Sequence, residues 1–293
     1  MERAEVNLVR RVARRTTPTQ KARQEVGVPP EDATIIRGNA ALIDEESGRV
    51  VAVQSVVAPQ LANRLAQQLH RVKWQGAKNK KGNASNEARL SGIVASHSTF
   101  GYAFPNPLRR RYACCSTAFN RTYPDAAATL DEAAQVAHRL FRATAKDVYE
   151  ETTRHVYERI APVWRLGGTP WTSGIINNNA ALPYHRDAGN IPGSWSAMLT
   201  CREHCEGGYL HLADYDLWLE LPNGSVSIFD GQSVLHGVSP FRLTKPHGHR
   251  YTSVFYSPSR MAKCAPTHEE EALYAQRRAT EAEERRQRKE SPA

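Results

Sequence analysis

The chain has 293 residues but only five cysteines and three methionines, and no apolar run approaches the length of a bilayer span. Five is an odd number, and the cysteines have no even spacing, which excludes an extracellular disulfide framework and leaves reduced thiols as the expectation. The first residues, Met1-Glu2-Arg3-Ala4-Glu5, lack the apolar core of a signal peptide, so an intracellular protein is expected, without distinguishing nucleus, bacterial cytoplasm or phage-infected cell. Acidic residues are in deficit, 30 against 39 Lys and Arg. The formal charge of +9 favours a polyanionic partner and gives no reason to expect a membrane. At 40% hydrophobic the chain can bury one sizeable core, and nothing demands a second folded domain.

The stretch richest in chemistry is Pro183-Tyr184-His185-Arg186-Asp187-Ala188-Gly189-Asn190. Residues two apart on a strand share a face, so His185 and Asp187 aim an imidazole and a carboxylate at one point. Taken alone, such a pair is more often a surface or hydrogen-bonding pair than half of a metal site. A third ligand is available in His236, within Ser233-Val234-Leu235-His236-Gly237-Val238. Two histidines and one carboxylate on one side of an ion leave coordination positions open, as in non-haem Fe(II) oxygenases.

Downstream of the His-x-Asp pair runs a string of short apolar segments bounded by Gly, Pro, Asn or Asp: Gly207 to Leu212, Ser225 to Gly231, the His236 segment, and His249-Arg250-Tyr251-Thr252. These read as antiparallel strands closing into a barrel or sandwich. Arg250 lies one hairpin beyond His236, where its planar fork suits a carboxylate such as the distal one of 2-oxoglutarate. Thr252, two residues on, shares its face and offers a hydroxyl to the same carboxylate.

The joint pattern resembles the 2-oxoglutarate/Fe(II) dioxygenase superfamily, which implies an α+β, mainly β fold: a double-stranded β-helix (jelly-roll, cupin-like) with supporting helices. Within it, His185 to Asn190, Trp195-Ser196-Ala197-Met198-Leu199, Phe229-Asp230-Gly231 with Leu235 to Val238, and Arg250 through Tyr256 look like the TET/JBP family. The likeness covers roughly Trp171 to Ser257 and thins upstream. It implies Fe(II), 2-oxoglutarate and O2, with His185, Asp187 and His236 as iron ligands and Arg250 and Thr252 on the co-substrate. It also implies a DNA substrate, double-stranded with a flipped base, whose 5-methylcytosine or thymine methyl is hydroxylated to hydroxymethylcytosine or hydroxymethyluracil. Asn190 corresponds to a base-contacting residue, Tyr256 to a ring stacking on the base, and Asn120, in Ser116-Thr117-Ala118-Phe119-Asn120, to an Asn near the target. One departure is that Pro258 stands where the family usually has a base-contacting His. The same metal set also suits a dioxygenase acting on a small molecule or protein side chain, and a non-catalytic binding barrel is a further reading.

Along the chain, residues 1–31 with Arg10-Arg11 and Arg14-Arg15 read as a mobile basic arm, equally apt for phosphates or for solvent. The dioxygenase domain is expected over 32–262, with its β-helix core at about 171–258. A hairpin is expected at Ala41 to Val53, and a helix opens at Pro59 with Leu61, Leu65 and Leu69 on one stripe. A polar loop, Lys73 to Asn86 with Lys78, Lys80 and Lys81, and the triplet Arg109-Arg110-Arg111 beside Phe100, Tyr102 and Phe104 suit phosphates and bases, or an ordinary exposed surface. Strands are expected at Gly92-Ile93-Val94 and around Cys114. Asp125 to Ile160, free of Gly and Pro, reads as one long helix. Cys201, His204 and Cys205 would bind zinc only with a fourth ligand from Cys114, Cys115 or Cys264. Residues 263–293 are expected to form a charged helical or disordered tail.

Overall fold

The computed structural model describes residues 8–15, 21–74, 95–106, 111, 113–266 and 269–290. The Lys78, Lys80 and Lys81 loop, the Gly92 to Val94 strand, and Arg109 and Arg110 lie outside the described residues.

Period-two alternation decides the architecture. On strand β8 (Ser196–Glu203), Ala197, Leu199 and Cys201 pack into one core cluster while Met198 packs into another. On β15 (His249–Tyr256), Tyr251 and Phe255 join the first cluster and Val254 lies against the second. Each strand therefore separates two cores, one under helices and one between sheets. Among the described residues the larger sheet has nine strands. In sheet order they are β1 (Leu8–Val12), β3 (Ala40–Asp44), β4 (Val50–Val56), β12 (Ser225–Phe229), β8, β15, β7 (Ser173–Asn178), β5 (Ser96–Ala103) and β6 (Cys115–Ser116). The smaller sheet runs β13 (His236–Val238), β10 (Leu210–Leu212), β11 (Leu217–Leu219) and β2 (Thr34–Ile36). A ribbon of β14 (Phe241–Leu243) and β9 (Cys205–Gly207) completes the strands. Two facing sheets, with helices behind the larger, make the expected double-stranded β-helix.

Helix α1 (Pro59–Leu69) starts on a proline, whose missing N–H costs nothing there, and buries Leu61, Leu65 and Leu69. It lies with α3 (Pro124–Thr144) over the larger sheet. The short α2 (Ala118–Thr122) precedes α3 and is capped by Thr117. The single long helix expected over Asp125 to Ile160 is instead broken at Ala145, which leaves helical geometry at φ −144°, ψ 57°. A straight helix of that length would run to about 54 Å, far past the sheet it covers. The break turns α4 (Lys146–Tyr157) so that Val148, Thr152 and Val156 are buried, with the Thr152 hydroxyl on the Gly193 carbonyl. Helix α5 (Glu269–Glu290) follows near the end of the chain. Among the described residues no helix is long and apolar enough to cross a membrane.

Two expectations need correction. Part of the basic arm is a strand: β1 pairs in parallel with β3, and Val12 is buried while Arg10 and Arg11 stay in solvent. An edge strand satisfies backbone groups whatever its outward side chains are. The cysteines are not all reduced: Cys114 and Cys264 form a disulfide, with Cα atoms 5.7 Å apart. The expectation erred because sequence separation, here 150, says nothing of proximity.

Asp131 on α3 has a carboxylate oxygen buried without a partner, and burial pushes its pKa up to about 6 from 3.8. The ionised form therefore destabilises the folded state above about pH 6, and the penalty disappears as pH falls towards 3.8. Asp131→Asn is expected to stabilise the chain by about 1–2 kcal/mol at pH 7.5, allowing for residual solvent contact, with no gain below pH 4. Thermal denaturation at both pH values is the check, and an equal effect at each would point to packing rather than charge.

Candidate metal centre and co-substrate pocket

His185 lies beyond β7 and His236 opens β13, and their backbones meet as an isolated antiparallel bridge. The His185 N–H donates to the His236 carbonyl at 2.8 Å, and the return bond is 3.0 Å. The Asp187 N–H donates to the Gly231 carbonyl at 2.8 Å. A Cβ on Gly231 would lie 2.3 Å from Asp187 Oδ2, so the glycine leaves room for the carboxylate in this orientation. As a result, one donor atom from each of His185, Asp187 and His236 falls within 4.8 Å of the other two. Each imidazole Nε2 stands about one ion's width from Asp187 Oδ1, at 3.8 Å from His185 and 4.0 Å from His236.

The tautomers are set by the partners. His185 Nδ1 is 2.8 Å from the Pro183 carbonyl and His236 Nδ1 is 2.9 Å from the Val234 carbonyl. Carbonyls only accept, so each Nδ1 carries the proton and each Nε2 presents a lone pair to the cluster. Burial, and then neighbouring His185, holds the His236 pKa well below 6.5, although Asp187 opposes this; the ring is therefore neutral at pH 7. The Ser196 hydroxyl donates to Asp187 Oδ2 at 3.1 Å, leaving Oδ1 for an ion. Neutral imidazoles with one carboxylate are the nitrogen and oxygen donors that suit Fe(II).

Arg250, Thr252, Val254 and Tyr256 occupy alternate positions of β15 and so share its inner face. Arg250 is fully buried, and burial pushes its pKa down to about 10. Its guanidinium reaches the carbonyls of Gly208 at 3.2 Å and Ala180 at 3.4 Å, while Nε has no partner. Gly208 has φ +73°, and a Cβ there would come 2.7 Å from Nε. Thr252 pairs across the sheet with Thr200 and Asn177, and the next residue in the row is Ser225. The hydroxyls of Thr200 and Ser225 are buried without partners. Orphaned polar atoms are rare in a finished core, and this row, with Arg250 Nε, fits a guest carboxylate. Sequence reading missed Thr200, Ser225 and Asn177; the available signal was small polar residues at inward positions of otherwise apolar strands.

A family match covers this whole arrangement. The model of the oxygenase domain of the 2OGFeDO superfamily, Tet_JBP, matches residues 102–259, more than half of the chain. The chain belongs to the Tet_JBP family. It is a dioxygenase of the superfamily that uses Fe(II) and 2-oxoglutarate. It is 30% identical over 133 residues to the bifunctional helicase and thymine dioxygenase JBP2 of Trypanosoma brucei brucei, covering 45% of this chain but only 12% of that much longer protein. Its fold is similar to that of NgTET1, solved in complex with 5mC DNA: TM-score 0.56 and 14% identity, covering 80% of this chain and 83% of that one. A 2OG-Fe(II) oxygenase family oxidoreductase from Burkholderia pseudomallei superposes with TM-score 0.43 and 13% identity, over 78% and 96% of the two chains.

The remaining site residues expected of a Tet_JBP oxygenase are placed unequally. Tyr256 lies on the inner face of β15, and burial, then the charge of Asp187, push its pKa up to about 12. The Asn190 side-chain amide donates to Ser196 Oγ at 3.3 Å, extending the chain of bonds that orients Asp187, and the Asn190 backbone carbonyl accepts from Gln232 and Ser259 at 2.7 Å each. Asn120 turns its carbonyl oxygen to the Gly101 N–H at 2.8 Å and the Thr117 hydroxyl at 3.1 Å, so that oxygen braces β5 and the cap of α2. The zinc grouping does not assemble among the described residues. Cys201 is buried on the helix side of β8, and two of the three candidate fourth ligands, Cys114 and Cys264, are joined to each other.

Thr200→Val keeps the shape and removes an unpartnered hydroxyl. It is expected to raise the stability of the metal-free protein by about 1–2 kcal/mol while weakening 2-oxoglutarate binding several-fold. Thermal denaturation and anaerobic calorimetry with Mn(II) and 2-oxoglutarate measure the two effects; unchanged affinity would place the co-substrate elsewhere.

Proposed function

We propose that the chain hydroxylates the methyl group of a 5-methylpyrimidine in DNA, 5-methylcytosine or thymine, with the target base turned out of the duplex. The observation that carries this reading is that Tyr256 shares the inner face of β15 with Arg250, at the end of the strand that runs on to the backbone bridge between Pro258 and Asn190, three residues past Asp187. One face of one strand thus offers a cation for a carboxylate at one end and an aromatic ring at the other. His185, Asp187 and His236 hold Fe(II), and Arg250 with Thr252 and Thr200 holds the distal carboxylate of 2-oxoglutarate. Fe(II), 2-oxoglutarate and O2 together supply the oxidation: one oxygen atom enters the substrate C–H bond and the other enters succinate as CO2 leaves.

The chain's residues supply position. The buried Arg250 would hold the distal carboxylate of the co-substrate, leaving its keto-acid end for the metal. Ser196 and Asn190 keep one oxygen of Asp187 engaged, which fixes the direction of the other. A methyl on a stacked base cannot reach a cluster lying between two sheets, so the base must leave the stack at a cost of a few kcal/mol. Stacking on Tyr256, worth roughly 1–3 kcal/mol, offsets much of it. The +9 charge supports a polyanion as the carrier of the base, and the DNA-bound state of NgTET1 and the thymine dioxygenase activity in the name of the JBP2 relative support the same class.

The test incubates protein, Fe(II) and 2-oxoglutarate with duplexes carrying cytosine, 5-methylcytosine or thymine, then digests to nucleosides for mass spectrometry. A hydroxymethyl nucleoside from a methylated duplex is expected. Succinate formed with other substrates and no new nucleoside from any duplex would instead assign the chemistry to a small molecule or protein side chain. Tyr256→Ala is expected to lower methyl oxidation about 5- to 150-fold, the equivalent of one lost stack, with Fe(II) loading unchanged. Equal loss of both would make Tyr256 a packing residue.

A further inference from the structure

Behind the donor cluster lies a carboxylate with an unusual number of partners. Asp214, between β10 and β11, is only 3% exposed. Its Oδ1 faces two guanidiniums: Arg186 Nη2 at 3.2 Å, from the residue between His185 and Asp187, and Arg14 Nη2 at 3.5 Å, from just beyond β1. Its Oδ2 accepts the backbone N–H of Leu235, the residue before His236. The same two arginines share a second acceptor, the Ser233 carbonyl, reached by Arg186 Nη1 and, at 3.3 Å, by Arg14 Nη2. The N-terminal segment is further secured by Arg15, whose N–H donates to the Asp214 carbonyl at 2.7 Å and whose guanidinium pairs with Asp216.

We propose that Arg14 and Arg186 form a two-guanidinium clamp on Asp214 and Ser233 that fixes the spacing between the two metal-ligand segments, making Arg14 a positioning residue of the metal centre. This rests on the assignment of His185, Asp187 and His236 as the metal ligands. The physical case is one of leverage. The segment from Gly231 to His236 is tied to the His-x-Asp segment at its two ends, by the Asp187–Gly231 and His185–His236 backbone bonds. Between them, Ser233 and Leu235 are held by the clamp. With it in place the loop has one position relative to Asp187; without it, the His236 ring is free to drift, and a three-point donor set loses affinity steeply with small displacements. The basic N-terminal segment therefore has a use other than phosphate contact, since the Arg14 and Arg15 guanidiniums are directed to carboxylates of the same chain.

The two arginines hold their acceptors differently, which makes the test specific. Arg14 reaches both acceptors through one nitrogen, so a lysine ammonium can replace it. Arg186 reaches them through two nitrogens of its fork, which a lysine cannot reproduce. The experiment titrates the full metal-free chain with Mn(II), following affinity by calorimetry and the melting temperature of the metal-free protein separately. Wild type is expected to bind one Mn(II), and His236→Ala to abolish this binding. If wild type binds none, the metal assignment itself fails. Given binding, Arg14→Gln and Arg186→Gln are each expected to weaken affinity about 10-fold with the metal-free melting temperature unchanged, Arg14→Lys to restore it and Arg186→Lys not to restore it. Wild-type affinity in both glutamine variants overturns the inference, as does an affinity loss matched by a fall in metal-free melting temperature. Asp214→Asn should reproduce the double loss if it folds; the two partly exposed arginines keep the test valid if it does not.

Discussion

The site depends on a reciprocal pair of backbone hydrogen bonds between His185 and His236. Neither residue is part of a long strand, and nothing in side-chain chemistry alone would bring them together. The bridge sets their rings 4.3 Å apart at centroid. Each ring's second nitrogen is occupied by the carbonyl two residues earlier in its own chain, so one short backbone pattern, used twice, orients both imidazoles. The donor atoms face one another in an arrangement that also satisfies the backbone groups of both residues.

From that bridge the polarity of the interior is graded. Near the cluster, Asn190, Ser196 and Asp187 Oδ2 form a chain of hydrogen bonds. Farther along the same sheet, Arg250 Nε and the hydroxyls of Thr200 and Ser225 are buried without partners. The contrast fits the proposed site: the groups around Asp187 are bonded within the chain, and those proposed to meet the co-substrate are not.

Much of this was legible in the sequence because it rests on period two. The spacing of His185 and Asp187, the common face of Arg250 and Thr252, and the runs around Ile228 and Val238 need only the alternation of a strand; their succession gives a barrel or sandwich, and the double-stranded β-helix came from the family resemblance. Contacts that depend on distant backbones were not legible. Gly208 matters because Arg250 passes beside it, Thr200 because Thr252 stands opposite, and Cys114 because Cys264 returns to it. The break at Ala145 was hidden for another reason: alanine is an excellent helix former, and the interruption is imposed by the surface below it. Arg14 and Arg15 look like any basic tail until Asp214 and Asp216 are beside them.

The burial of Arg250 has a consequence beyond recognition. No carboxylate lies within salt-bridge distance of it among the described residues, so the folded chain carries a lone cation in its interior, an arrangement that opposes folding until an anion arrives. A diacid that neutralises it binds the native state alone, and by mass action deepens that state in proportion to the logarithm of its concentration. On the role proposed for Arg250, the stability of the folded chain is thereby tied to the concentration of the diacid it binds.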